Sequence, residues 1–209
     1  MINSESVFYY VHDPMCSWCW AHRPVWQKLE ASLLDLVPVN YVLGGLAPDC
    51  DDPMPVEQQK AISGYWQKIS NLLGTPFNFK FWAENTPRRS TYPACRAVIA
   101  AGWQNKMREM NSAVQKAYYL RAMNPSDIET HLFLAAELGL NIEQFNADLS
   151  SAKLDSEFKR QLRLTGNLPI QGFPSMVLAH RGKLFPIELD YKDQGGALAQ
   201  VKAILAGTL

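Results

Sequence analysis

The chain carries no charge excess, since 20 Lys and Arg stand against 20 Asp and Glu in 209 residues. That balance excludes a basic nucleic-acid grip and an acidic interaction tail. Nowhere do about 18 apolar residues follow one another, which excludes a helical membrane span. Low-complexity tracts and internal repeats are missing as well, and the opening Met1–Ser6 lacks the basic start and apolar stretch of a secretory leader. The expected location is therefore cytoplasmic. Cysteine is scarce: Cys16, Cys19, Cys50 and Cys95 are too few for a disulfide scaffold in a chain of this length. What is present, 47% hydrophobic and 11% aromatic residues, suffices for a core in one or two compact lobes.

Val7 to Val11 reads Val-Phe-Tyr-Tyr-Val, an apolar block without polar alternation, as a strand covered on both faces would be. After Cys16, apolar residues recur at helical spacing from Trp20 to Leu36, with Pro24 inside the stripe and Pro38 beyond it. Because the stripe continues past Pro24, a kinked helix is expected. Val39 to Leu43 forms a second strand closed by Gly44-Gly45. Pro48 to Pro55 is acidic and proline-rich, the best candidate linker, and Pro48 to Leu168 then reads as five or six helices. Signals within it include a stripe from Ile62 to Leu73 through Tyr65, Trp66, Ile69 and Leu72. Pro93 suits a helix start, Ser126-x-x-Glu129 and Asn141-x-x-Gln144 suit capping boxes, and Gly74, Gly139 and Gly166 suit helix ends. Strand character returns at Ser175 to Ala179, turns at Arg181-Gly182, and resumes from Leu184 to Ile187. A last helix carries Leu198, Val201, Ile204 and Leu205. The pattern predicts an α/β fold, β-α-β then β-β-α, with residues 1–47 and 169–209 in one domain and 48–168 inserted as an all-helical one.

Cys16-Ser17-Trp18-Cys19 falls where the first strand hands over to the first helix. Unpaired amides and the macrodipole at a helix N-terminus favour a thiolate, lowering a cysteine pKa from about 8.5 into the range of about 3.5–7.5. Cys16 is then the expected nucleophile, and Cys19, one turn further in, the shielded resolving thiol. Half of a zinc site is the competing reading of C-x-x-C. It needs two more ligands, yet His12 ends a strand, His22 lies within the helix, and no second C-x-x-C exists. Thiol chemistry without a metal is the reading adopted.

Asp13-Pro14-x-Cys16-Ser17-Trp18-Cys19-Trp20, the helical insertion and Gly172-Phe173-Pro174 together resemble the DsbA-like branch of the thioredoxin superfamily. That branch includes relatives of the 2-hydroxychromene-2-carboxylate isomerase and polyketide-cluster oxidoreductase type. The resemblance covers essentially the whole chain. It implies a thioredoxin-like fold in which Cys16 attacks a disulfide and Cys19 resolves the mixed disulfide. It also implies a cis Pro174 facing the sulfurs, with the backbone at Phe173 pairing with an extended substrate. No cofactor is required for such exchange. Glutathione enters as the cofactor of the isomerase relatives, which typically carry serine where Cys16 stands. Many thioredoxin-like proteins keep a carboxylate on the first strand, where Tyr9 and Tyr10 stand here, leaving Asp13 and water as candidates to accept the Cys19 proton.

Trp18, Trp20 and Phe173 would line the sulfurs with apolar surface for a peptide or a small aromatic thiol, although Trp20 equally suits the core. Arg88 and Arg89 read as a solvated loop, with an anion grip such as one for a glutathione carboxylate as the sharper alternative. Cys95 reads as an inert buried thiol and Cys50 as an exposed one, a bridge between them being open, while His131 and His180 receive no role. The expected function is a thiol–disulfide oxidoreductase acting on a disulfide- or thiol-bearing protein or small molecule, with neither nucleic acid nor membrane as partner. A glutathione-dependent isomerase or transferase, and an adaptor presenting clients to a protease, are the alternatives.

Overall fold

The structure, a computed structural model, describes residues 6–208, so most of the leader reading falls outside the described residues. Two compact units divide the chain. One takes the described residues up to His12, Trp18–Gly44, and Gln161 onward, and the other takes Asp13–Ser17 and Gly45–Arg160.

In the first unit, β1 (Ser6–His12), β2 (Val39–Leu43), β3 (Ser175–His180) and β4 (Lys183–Ile187) form one sheet in the order β2-β1-β3-β4. β2 runs parallel to β1, whereas β3 is antiparallel to β1 and β4 to β3. The apolar run of β1 serves both faces. Phe8 and Tyr10 pack with Trp26, Leu29 and Leu33 of α1 (Ser17–Leu33) and with Val201 and Ile204 of α9 (Gly195–Ala206). Tyr9 and Val11 pack with Val42, Leu164, Leu168 and Val177 on the other face. Each large side chain buried this way contributes roughly 1.5–3 kcal/mol, so a polar residue anywhere in Phe8–Val11 would be costly.

Pro24 does lie inside α1. The helix ends at Leu33 rather than Leu36, because the amides of Leu36 and Val37 both turn back to the Leu33 carbonyl at 2.9 and 3.1 Å. Leu36 still packs on the core from outside the helix, which is why the stripe runs on in the sequence. Gly44 is needed for a close approach, since a Cβ there would stand 2.1 Å from the Phe173 ring.

The second unit contains helices α2 (Val56–Leu73), α3 (Phe81–Glu84), α4 (Tyr92–Gly102), α5 (Met107–Leu120), α6 (Ile128–Glu137) and α7 (Ile142–Leu149), and α8 (Ala152–Asn167) begins there and continues into the first. Seven helices among the described residues exceed the five or six expected, partly because the single turn of α3 is too short to show a 3.6-residue period. The α2 stripe is narrower than its sequence suggests: Trp66 and Ile69 are buried, but Tyr65 and Leu72 are exposed. Trp66 instead gathers rings from outside its helix, those of Phe77, Phe81, Trp82 and Tyr118.

Helix ends follow their residues in most places. Pro93 opens α4, Gly74 and Gly139 turn left-handed after α2 and α6, and Gly166 falls in the last turn of α8. The Asn141 side chain accepts from the Gln144 amide at 2.9 Å, capping α7. Ser126 fails as a cap, because its hydroxyl donates to the Ser90 carbonyl at 2.8 Å and α6 begins only at Ile128. The Pro48–Pro55 stretch is pinned rather than loose, with the Met54 amide donating to the Pro87 carbonyl at 2.7 Å. Among the described residues no helix is long and apolar enough to cross a membrane.

Candidate active site

β1 leaves the sheet at His12, and β3 enters it at Ser175, which pairs beside Val11. The C-terminal end of β2 reaches the same sheet end, with Leu43 opposite His12 and the Gly44 amide donating to the His12 carbonyl at 2.8 Å. This topology delivers both sequence signals, the cysteine motif after β1 and Gly172-Phe173-Pro174 before β3, to loops at one end of the sheet. The Phe173–Pro174 peptide is cis. Pro174 is buried, the Phe173 ring lies against Gly44, and the Ser175 hydroxyl closes the loop by donating to the Gly172 carbonyl at 2.7 Å.

Cys16 is the residue immediately before α1, and its amide donates to the Asp13 carbonyl at 3.1 Å, closing a tight turn. No acidic residue occupies the first turn of α1, and a helix N-terminus favours the anion of a sulfur beside it. Cys16 is 7% exposed and Cys19 1%, and neither forms a disulfide. Pro14 is buried and Ser17 half-buried. Trp20 is core, with the Arg23 guanidinium over its ring at 5.5 Å, which decides the even question left by the sequence. Trp18, by contrast, stays half-exposed and sets its edge against Tyr191, ring centres 5.1 Å apart.

Tyr191, from the loop between β4 and α9, is a site neighbour that sequence reasoning missed. Nothing near it in the sequence marks it. His12 and His22 were set aside as metal ligands, but they are prominent in the structure as buried imidazoles. His12 stacks on Tyr10 and meets the edge of Tyr41, and neither of its nitrogens has a hydrogen-bond partner. Burial drives its pKa down from 6.5 to about 3. His22 packs against Tyr10 and Tyr191, and burial lowers its pKa to about 4 against an opposing pull from the Asp190 carbonyl and charge. Both rings are neutral at pH 7. The positions of β1 that face α1 thus carry Phe8, Tyr10 and His12, with no carboxylate among them.

Asp13 does not stand open to take a proton from a neighbour. Its Oδ1 accepts from the Met15 amide at 2.7 Å, and its Oδ2 accepts from the Leu46 amide at 2.7 Å, the Thr91 hydroxyl at 2.7 Å and the Cys95 thiol at 3.6 Å. It is fully buried. Desolvation raises its pKa, and the four hydrogen bonds work against that rise. Cys95 is buried as expected, but it is bonded to Asp13 rather than idle, and burial followed by the Asp13 charge lifts its pKa well above the ordinary range. Cys50 is a separate, partly exposed thiol, and neither it nor Cys95 forms a disulfide.

Arg88 is neither solvated nor vacant, because its Nη2 donates to the Ser126 carbonyl at 2.6 Å and pairs with Asp127 at 2.5 Å. Arg89 is half-buried. His131 donates to the Pro125 carbonyl, and the His180 ring meets the Ser6 hydroxyl at 2.7 Å. Among the described residues no three His, Cys, Asp or Glu side chains are placed to hold a metal ion.

A family model described as thioredoxin matches residues 8–184. Among curated proteins, the ClpXP adapter protein SpxH of Halalkalibacterium halodurans is 22% identical over 171 residues, 79% of this chain and 56% of its own length. The chain thus spans little more than half of that relative. Among solved structures, a candidate protein disulfide isomerase from Nitrosomonas europaea superposes with a TM-score of 0.83 at 24% identity, covering 98% of each chain. The cytosolic disulfide reductase DsbM from Pseudomonas aeruginosa, solved also with GSH, superposes at 0.74 with 25% identity over 96% of this chain and 97% of its own.

Proposed function

The chain belongs to the thioredoxin family, and from that premise we propose that it is a thiol–disulfide oxidoreductase that works through Cys16 and Cys19. The observation that carries this reading is the placement of the pair. Cys16 directly precedes the N-terminus of α1 and keeps 7% exposure, while Cys19, in the first turn, keeps 1%. A helix N-terminus stabilises the attacking thiolate, and the difference in access separates an attacking sulfur from a resolving one.

The Cys16 thiolate attacks one sulfur of a substrate disulfide, forming a mixed disulfide and expelling the other substrate sulfur as a thiolate. Cys19, losing its proton to water, then attacks Cys16 Sγ, releasing the reduced substrate and leaving a Cys16–Cys19 disulfide. Two electrons have passed to the substrate, and a dithiol, or two equivalents of glutathione, must return them. In the reverse direction a substrate dithiol is oxidised. We take reduction as the working direction and the cytoplasm as the compartment, supported by the likeness to a cytosolic disulfide reductase. Trp18, Phe173 and Pro174 are the proposed substrate contacts. The substrate is a disulfide-bearing peptide or small molecule, with glutathione as the reductant to test first.

Insulin reduction with glutathione or dithiothreitol tests the proposal. Wild-type protein should accelerate turbidity, Cys16→Ser should abolish the effect, and Cys19→Ala should accumulate a mixed disulfide visible by mass spectrometry. Full activity in Cys16→Ser would falsify it.

A second reading, a protease adaptor, is favoured by the name of the curated relatives. It separates cleanly. An adaptor lacking both Cys16 and Cys19 still captures its clients in a pull-down, whereas a disulfide-exchange enzyme so altered captures none.

A further inference from the structure

We propose that Asp13, backed by Thr91 and Cys95, is a positioning residue that seats Cys16 at the start of α1. The proposal rests on the thiol-exchange reading for its purpose but not for its geometry.

Four donors converge on one carboxylate from three separate parts of the chain. Met15 belongs to the turn that Asp13 itself begins, Leu46 follows β2, and Thr91 and Cys95 come from the start of α4. Thr91 is tied in further, because its hydroxyl accepts from the Ala47 amide at 3.0 Å and its own amide donates to the Ala47 carbonyl at 3.0 Å. Asp13 therefore cannot shift without breaking contacts to two segments of its own unit. Its main chain carries that rigidity to the motif. The Asp13 carbonyl accepts the Cys16 amide, and its carboxylate accepts the Met15 amide, so the last two amides of the four-residue turn Asp13–Cys16 are held by one residue. What is fixed is where the Cys16 backbone enters α1, and the stabilisation of an anion by a helix terminus falls off within the first turn.

The arrangement also gives Cys95 a task. As a thiol it is a donor to Oδ2 that needs no charge of its own, and burial keeps it protonated. A buried carboxylate is tolerable only when donors meet it, and Thr91 and Cys95 supply two on Oδ2 alongside the two backbone amides.

The sign of one effect tests this. Asp13→Asn removes a buried negative charge, and charge alone would make the Cys16 anion easier to form, moving its titration midpoint down. It also replaces one acceptor oxygen by a donor, so either Met15 or Leu46 loses its partner and the turn loosens, moving the midpoint up. The measurement is the rate of iodoacetamide alkylation of the Cys16 peptide against pH, read by mass spectrometry, which needs no substrate. We expect the midpoint to rise by about one pH unit and disulfide exchange at pH 7 to slow about threefold to tenfold. Thr91→Val and Cys95→Ala should shift it in the same direction by less, and Cys95→Ser, which keeps a donor, should restore it. A midpoint that falls or stays put in Asp13→Asn overturns the proposal, and so do Thr91→Val and Cys95→Ala variants indistinguishable from wild type. If Asp13→Asn does not fold, the Thr91 and Cys95 variants decide. A wild-type protein without exchange activity whose midpoint still moves in these variants overturns the functional reading and leaves the positioning role standing.

Discussion

His12 and Asp13 are adjacent in the chain, equally buried, and belong to different units, and each unit handles its buried polar group in a different way. In the sheet unit the His12 ring is surrounded by those of Tyr10 and Tyr41 and neither of its nitrogens makes a hydrogen bond, so the cost of burial falls on its proton and the imidazole stays neutral. In the helical unit Asp13 is saturated by four donors. Aromatic packing tolerates a polar group by stripping its charge, whereas a hydrogen-bonded nest tolerates one by surrounding it with donors. Consequently the first device is sensitive to pH, and the second to mutation.

Acid should produce the largest effect. His12, with a folded pKa of about 3, and His22 and His131, at about 4, all lie below the ordinary 6.5, so between those limits the unfolded chain binds protons that the folded chain does not. Stability is therefore lost as pH falls from 6.5 toward 4, by about 1.4 kcal/mol per pH unit for each ring and roughly 4 kcal/mol per unit for the three together. Asp13, raised instead, works in the opposite sense without matching three groups. Tryptophan fluorescence should report unfolding between about pH 6 and 4, and a fold intact below that window would break the histidine half of the comparison.

Next in size is the contrast between two substitutions measured by urea unfolding. Asp13→Ala takes the acceptor from two part-buried amides and from the buried Thr91 hydroxyl and Cys95 thiol and should cost about 3–5 kcal/mol, while His12→Phe forfeits no side-chain hydrogen bond and should stay within about 1 kcal/mol of wild type. Equal costs would remove the distinction. Gly44→Ala should be smaller, about 1–3 kcal/mol from pushing the Phe173 ring aside, with Phe173→Leu in the same chain recovering part of it. This last change sharpens the comparison, because it loads the sheet unit sterically and should leave the Cys16 titration unmoved.

Local signals were legible where a residue acts on its own backbone. The Phe-Tyr-Tyr core of β1, Pro93 at the start of α4, Asn141 as a cap and the cysteine pair ahead of α1 all announce themselves within a few positions. What stayed hidden was decided by distant partners. Ser126 was drawn from its capping role by a carbonyl at Ser90, and Tyr65 and Leu72 were left outside because the aromatic rings around Trp66 supply the core instead. In the candidate site, Asp13 read as part of a motif, but its partners at Leu46, Thr91 and Cys95 lie 33, 78 and 82 residues away. Tyr191 reaches Trp18 from the far end of the chain. Periodicity and spacing carry no information about such pairings.

The sheet register also sets an order of events during synthesis. Ser6 pairs with His180, so the central strand β1 leaves the ribosome long before β3, one of its two neighbours. β2 can dock alongside it early, but the other edge of β1 waits through the emergence of α2 to α8. Throughout that interval an apolar strand has an open flank, while helices dominated by local contacts assemble without delay. A nascent chain stalled before β3 should therefore be the aggregation-prone species, and chaperones would meet the protein there.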